Sequence, residues 1–147
     1  MKILITSDHA GFELKKEIIS YLKELNFEVE DKGPFEYQSE DDYPDFIKPV
    51  ADEVSKNPEK LKAIVIGGSG QGEAIVANRL KNVYAVIYYA HNLEIIKLSR
   101  EHNNANILSL GARFISSDDA KEAVKLWLET PFSGDERHLR RINKIDV

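Results

Sequence analysis

The run A-I-V-I-G-G-S-G-Q-G-E from Ala63 to Glu73 narrows the choice of fold more than any other stretch of the chain. An apolar β-branched segment opens directly into glycines and closes on a carboxylate. Glycine at 67, 68, 70 and 72 lets the backbone approach a ligand and adopt φ > 0 where a side chain would clash. Good helix formers follow from Ala74 to Leu80, so the loop is predicted to feed a helix N-terminus whose outward N–H groups favour an anion. Gly67 and Gly72 keep the spacing of a P-loop, yet Glu73 stands where the lysine belongs and would repel a triphosphate. The dinucleotide spacing G-x-G-x-x-G is absent as well. An anion-binding loop with a carboxylate at its rim points to acid/base chemistry on a phosphorylated substrate.

Similar apolar runs alternate with helical stretches along the whole chain. Strands are predicted at Lys2 to Thr6, Glu28 to Asp31, Ala63 to Ile66, Tyr84 to Tyr88 and Ile107 to Leu110. Helices are predicted at Gly11 to Leu25, Pro44 to Lys56, Gly72 to Leu80, Asn92 to Glu101, Ser117 to Glu129 and Glu136 to Lys144. In the first helix Leu14, Ile18, Tyr21, Leu22 and Leu25 make one apolar stripe. Strands separated by helices imply crossover connections and a parallel sheet covered on both faces. The expectation is one doubly wound, Rossmann-like α/β domain over residues 1–147, with about five strands and a C-terminal helix.

Composition excludes several classes of function. At 147 residues the chain is long enough to bury one core. Its net charge of −5 leaves nucleic acid or an anionic membrane only a local basic patch to bind. With no cysteine, thiolate nucleophiles, disulfides and cysteine metal sites are absent. The scattered histidines His9, His91, His102 and His138 show no metal-ligand spacing, so neither metal nor cofactor is expected. No run reaches the length of a membrane span, and the N-terminus lacks a signal peptide's apolar region; a cytoplasmic protein is the default.

Ligands of open parallel sheets bind beyond the carboxyl ends of the strands. The predicted topology sends Asp8 and His9, then Ser69 and Glu73, then Arg113 to that edge, and the reading places His102 and Asn103 on the same rim. Each has an ordinary structural explanation: Asp8 as a cap, Glu73 as a carboxylate favoured by the helix dipole, His102 as a cation near a helix C-terminus. Their joint placement favours function. Arg137 and Arg141 are i, i+4 neighbours on the last helix, where two guanidinium forks would suit a phosphate. The alternative is a solvated basic face. Carboxylates, imidazoles and arginines together suit metal-free proton transfer next to a carbonyl.

Five motifs then occur in register: Ser7-Asp8-His9-Ala10-Gly11-Phe12, Asp42-Tyr43-Pro44-Asp45, the glycine loop, Ser99-Arg100-Glu101-His102-Asn103-Asn104-Ala105-Asn106 and Arg137-His138-Leu139-Arg140-Arg141. On them the chain resembles the type B ribose-5-phosphate isomerases, of the sugar-phosphate isomerase family that also contains the galactose-6-phosphate isomerase subunits. The resemblance covers essentially the whole chain. It implies a metal-free, cofactor-free aldose–ketose isomerase acting through a cis-enediolate, and a homodimer, with a further pairing into a tetramer open, whose active sites lie where subunits meet. Many members carry a cysteine base at the position of Gly67; this chain resembles the branch in which Glu73 takes the proton. The resemblance makes His102 the acid that assists ring opening and gives the enediolate oxygens to Ser69 and the amides of Gly68, Gly70, Gln71 and Gly72. Asp8, His9 and Asn103 would hold the sugar hydroxyls, and Arg113, Arg137 and Arg141 the phosphate. A base near neutral pH needs a raised pKa, whereas a helix N-terminus lowers it. A hexose 6-phosphate substrate and a non-catalytic nucleotide-binding regulatory module are the competing readings.

Overall fold

Ile3, Leu4 and Ile5 are all fully buried, because successive residues of a strand point to opposite faces and both faces here are covered. The computed structural model describes residues 1–89 and 91–147. Its strands are β1 (Lys2–Ser7), β2 (Glu28–Asp31), β3 (Leu61–Gly67), β4 (Ala85–Tyr88) and β5 (Ile107–Gly111). Its helices are α1 (Phe12–Glu24), α2 (Tyr43–Lys56), α3 (Gln71–Ala77), α4 (Leu93–Glu101), α5 (Ser117–Glu129) and α6 (Glu136–Ile142). The strands form one parallel sheet in the order β2-β1-β3-β5-β4, which makes the predicted doubly wound α/β class the observed one.

Strand periodicity divides the core into two layers. Ile3, Ile5, Ile64, Ile66, Leu108 and Leu110 meet Ile18, Leu22, Ile96, Val124 and Trp127 on one face. Leu4, Ala63, Val65 and Ile107 meet Ile47, Val50, Ala51 and Val54 on the other. Each large side chain so buried stabilises the fold by about 1.5–3 kcal/mol relative to exposure. Helices α1, α4 and α5 share the first face, and α2 and α3 the second. The chain therefore leaves β1 and β3 over opposite faces and in opposite directions. The crevice between their carboxyl ends is the topological switch point.

Predicted boundaries shift where side chains intervene. The first helix begins at Phe12 because a 3-10 turn at His9–Gly11 precedes it, capped by Asp8. The third ends at Ala77 rather than Leu80: Asn78 turns its amide to the backbone of Ala85, donating to the carbonyl at 2.9 Å and accepting from the N–H at 2.8 Å. Fixing that turn at the start of β4 is incompatible with another turn of helix. Among the described residues, no helix is long and apolar enough to cross a membrane.

Candidate active site

The chain reverses at Gly70, which sits in the left-handed region at φ 78° and opens α3. The buried Ser109 on β5 donates its hydroxyl to the Gly70 carbonyl at 2.7 Å and pins the turn. Three residues later Glu73 folds back over the end of β3. A Cβ on Gly67 would overlap the Glu73 carboxylate, so the missing side chain at 67 is the seat of the carboxylate at 73. Glu73 is 4% exposed. Burial raises its pKa above the ordinary value, its own backbone N–H opposes the rise, and the charge of Asp8 adds to it. The contest between helix terminus and desolvation is thus settled in favour of a raised pKa.

The other groups of this edge converge on the same crevice. Asp8 is the cap that its residue type allowed, accepting from the N–H groups of Ala10 at 2.9 Å and Gly11 at 3.4 Å through Oδ1. Its backbone N–H donates to the Ile66 carbonyl at 3.2 Å, tying the ends of β1 and β3 together. Ser69 accepts the Gln71 N–H at 3.2 Å, which leaves its hydroxyl proton to donate elsewhere. Arg113 lies over Gly68, and its N–H donates to the Gly68 carbonyl at 3.0 Å. Asp8, His9, Gly68, Ser69, Gly70, Gln71, Gly72, Glu73 and Arg113 therefore share one rim.

His102, Asn103, Arg137 and Arg141 do not. Helix α4 runs back against the strands, so His102 and Asn103 emerge where β5 begins. Helix α6 packs at that same edge, with Leu139, Ile142 and Asn143 beside Lys62, Tyr84 and Asn106 at the strand starts. The five residues of β5 separate the two rims by roughly 15 Å or more. The expected single rim is corrected on this point: within one chain the imidazole of His102 and the arginine pair face away from the Glu73 crevice. They form their own cluster, in which His102 stacks on His138 with ring centres 4.3 Å apart, and Asn103 and Arg141 line the same hollow. Burial, then the neighbouring His102 and Arg137, pull the pKa of His138 below its usual range. Among the described residues, its buried Nε2 has no hydrogen-bond partner.

Two residues of the Glu73 rim, Asp41 and Ser109, escape the sequence reading, and a third, Tyr43, enters it only as part of the Asp42-Tyr43-Pro44-Asp45 motif. Asp41 accepts both the His9 backbone N–H at 3.0 Å and the ring Nδ1 at 2.7 Å, so the free ring nitrogen of His9 is Nε2. Tyr43 lies against Gly72, and Ser109 holds the turn at Gly70. Asp41 lies in the long polar loop, Tyr43 opens α2 and Ser109 lies inside an apolar strand, so no spacing pattern marks Asp41 or Ser109. Asp8, His9 and Asp41 bring one ligand atom each within 4.8 Å of one another. Within this cluster His9 Nδ1 is bonded to Asp41, and Oδ1 of Asp8 accepts from the Ala10 N–H.

Comparison with known proteins bears on the family and the fold. The model of the Ribose/Galactose Isomerase family matches residues 3–145. Ribose-5-phosphate isomerase B of Mycolicibacterium paratuberculosis is 40% identical over 143 residues, which are 97% of this chain and 88% of that protein. The structure of ribose-5-phosphate isomerase B from Mycoplasma genitalium with bound ribulose-5-phosphate is 42% identical and superposes with a TM-score of 0.93, covering 98% of this chain and 93% of that one. The enzyme of the same name from Clostridium thermocellum gives 42% identity and a TM-score of 0.91 over 99% of this chain and 95% of that one. With this fold, this rim and relatives matched over nearly their whole length, the chain belongs to the ribose/galactose isomerase family.

Proposed function

We propose that the protein interconverts ribose 5-phosphate and ribulose 5-phosphate without a metal or cofactor, with Glu73 as the base. The observation that carries this reading is the buried carboxylate seated on Gly67, with its pKa raised by desolvation. In the open-chain aldose, Glu73 removes the proton from C2. The C2–H electron pair becomes the C1–C2 double bond, and the carbonyl electrons move to O1. Ser69 and the amides of Gly68 to Gly72 hold the enediolate oxygens as a preorganised donor set. Glu73 then returns the proton to C1, while the O2 hydroxyl proton passes to O1 and leaves the ketone at C2. Atoms and charge balance without an external oxidant. Asp8 and His9 position the sugar hydroxyls, and Arg113 is the one arginine of this rim that reaches the phosphate. A cytoplasmic setting fits a doubly charged sugar that does not cross membranes unaided.

His102, Asn103, Arg137 and Arg141 enter this scheme from a second copy of the chain. One subunit's Glu73 rim then meets the opposite edge of its neighbour, which supplies the acid for ring opening, a hydroxyl contact and the phosphate clamp. The working unit is a homodimer. Residues 1–147 act in it as one domain.

Incubation with ribose 5-phosphate in D₂O tests the chemistry. Deuterium at C2 of recovered aldose together with ketose formation is expected, and absence of both with ribose 5-phosphate overturns the reading. A higher kcat/KM for allose 6-phosphate or galactose 6-phosphate would move the substrate to a hexose. Mixing inactive Glu73→Gln with inactive Arg137→Ala/Arg141→Ala protein tests the sharing. Subunit exchange should restore one intact site per heterodimer, and proven exchange without recovery would place base and clamp on one chain.

A further inference from the structure

Arg100 is 4% exposed, yet it has no carboxylate partner among the described residues. Its Nε donates to the Thr130 carbonyl at 3.1 Å, and Nη1 donates to Asn104 Oδ1 at 3.1 Å and the Ala105 carbonyl at 2.5 Å. Those bonds tie α4 to the end of α5 and to the approach to β5. Among the described residues, the second guanidinium nitrogen, Nη2, donates to no protein group. Lys62, half-buried at the start of β3, is a second cation without an ion pair among them. Both lie over the ring of Trp127, Lys62 Nζ at 5.6 Å and the Arg100 guanidinium at 5.9 Å from its centre. Proteins rarely leave two charges together in a desolvated place without a counter-ion.

Between them opens a cavity of about 330 Å³, lined by Lys62, Tyr84, Arg100, Asn104 and, from α6, Leu139 and Ile142. Glu59 also lines it. Asp146 is turned to the N–H of Asn82 at 2.8 Å and the hydroxyl of Tyr84 at 3.2 Å. The cavity lies at the strand starts, away from the Glu73 rim, and it is distinct from the hollow of His102, Asn103 and Arg141, with which it shares Ile142. We propose that this cavity is a binding site for a phosphate-class oxyanion, held by Arg100 Nη2 and Lys62 Nζ and separate from the catalytic phosphate clamp. A guanidinium edge and an ammonium together match a tetrahedral anion, and the Asn104 side-chain amide offers a further donor. The motif around His102 thereby gains a role for Arg100 and Asn104, which proton transfer leaves idle. Burial and the adjacent Arg100 lower the pKa of Lys62 to about 8. An anion between the two cations removes that repulsion, so binding above pH 8 takes up a proton.

Trp127 is the single tryptophan of the chain and lies beneath both cations, so its fluorescence reports on this cavity. Titration with inorganic phosphate at constant ionic strength should give a saturable change in the intact protein. The change should persist in Arg137→Ala/Arg141→Ala, which lacks the clamp, and Lys62→Gln should weaken it about tenfold. Arg100→Lys, which keeps the charge but loses the fork, should weaken it as well. A response that sodium chloride reproduces, that Lys62→Gln leaves unchanged, or that vanishes with the Arg137 and Arg141 substitutions overturns the proposal. The readout needs no turnover, so its failure is distinct from failure of the isomerase reading.

Discussion

The carboxylate of Glu73 occupies the space into which a side chain at Gly67 would project. A side chain from α3 and one from the end of β3 therefore compete for one place. This gives a physical reason for a chain with no cysteine to have glycine at 67: the seat has to be vacant before Glu73 can fold over the strand end.

Gly67→Ala should evict the carboxylate while leaving the rest of the sheet intact. We expect kcat to fall by about 10²–10⁴, the usual contribution of a positioned general base. Stability should fall by about 1–3 kcal/mol through overpacking. Steady-state kinetics and denaturant unfolding check both. Near-normal turnover would mean that Glu73 works from another position.

Glu73→Gln should lower kcat by about 10²–10⁴ with little change in KM. It should also make the protein more stable at neutral pH. Burial holds the folded-state pKa of Glu73 above its unfolded value, so folding favours the protonated acid. That contribution is complete below the unfolded pKa and is lost as pH rises through the folded one. The amide mimics the protonated acid and escapes the loss. A gain of roughly 2–4 °C in Tm per kcal/mol is expected at pH 7 and should vanish near pH 4. An unchanged or lower Tm at pH 7 would contradict the burial argument.

Asp41 should act through His9. Asp41→Ala removes the acceptor of both the ring and the backbone N–H of His9, so KM for ribose 5-phosphate should rise about tenfold with a smaller effect on kcat. On a His9→Ala background the same change should do little, because contacting residues are not additive. Long-range ¹⁵N–¹H NMR of the ring should show the proton on Nδ1 in the intact protein and a mixture in Asp41→Ala. Full additivity of the two substitutions would reduce Asp41 to a loop anchor.

Arg137→Ala and Arg141→Ala should each raise KM strongly, since charge-assisted bonds are worth about 1.5–3 kcal/mol apiece. Neither should alter the pH profile of kcat, which the proposed role of Glu73 as base assigns to Glu73. A changed profile with constant KM would take the arginines out of the phosphate clamp.

EDTA should leave the rate unchanged. Asp8, His9 and Asp41 lie close enough to hold an ion, so the test concerns this cluster in particular. Activity lost to the chelator and restored by a divalent cation would assign them a metal.

Much of the fold was legible because it depends on local periodicity. Buried β-branched runs such as Ala63 to Ile66 and the stripe of Ile18 and Leu22 required a covered parallel sheet whatever the details. The glycine loop identified its own place at a strand end, and Glu73 and Ser69 were found from it. The turn at Asn78 was not legible, because it depends on a side-chain bond to Ala85. Nor was the pair His9 and Asp41, which spans 32 residues. The tertiary structure alone decided which edge each group occupies. Sequence order placed His102 after a helix, but the direction of α4 against the strands carried it to the edge opposite Glu73. A motif specifies chemistry through residue types a few positions apart. Reach across a sheet depends on strand direction and helix packing, which only the folded chain determines.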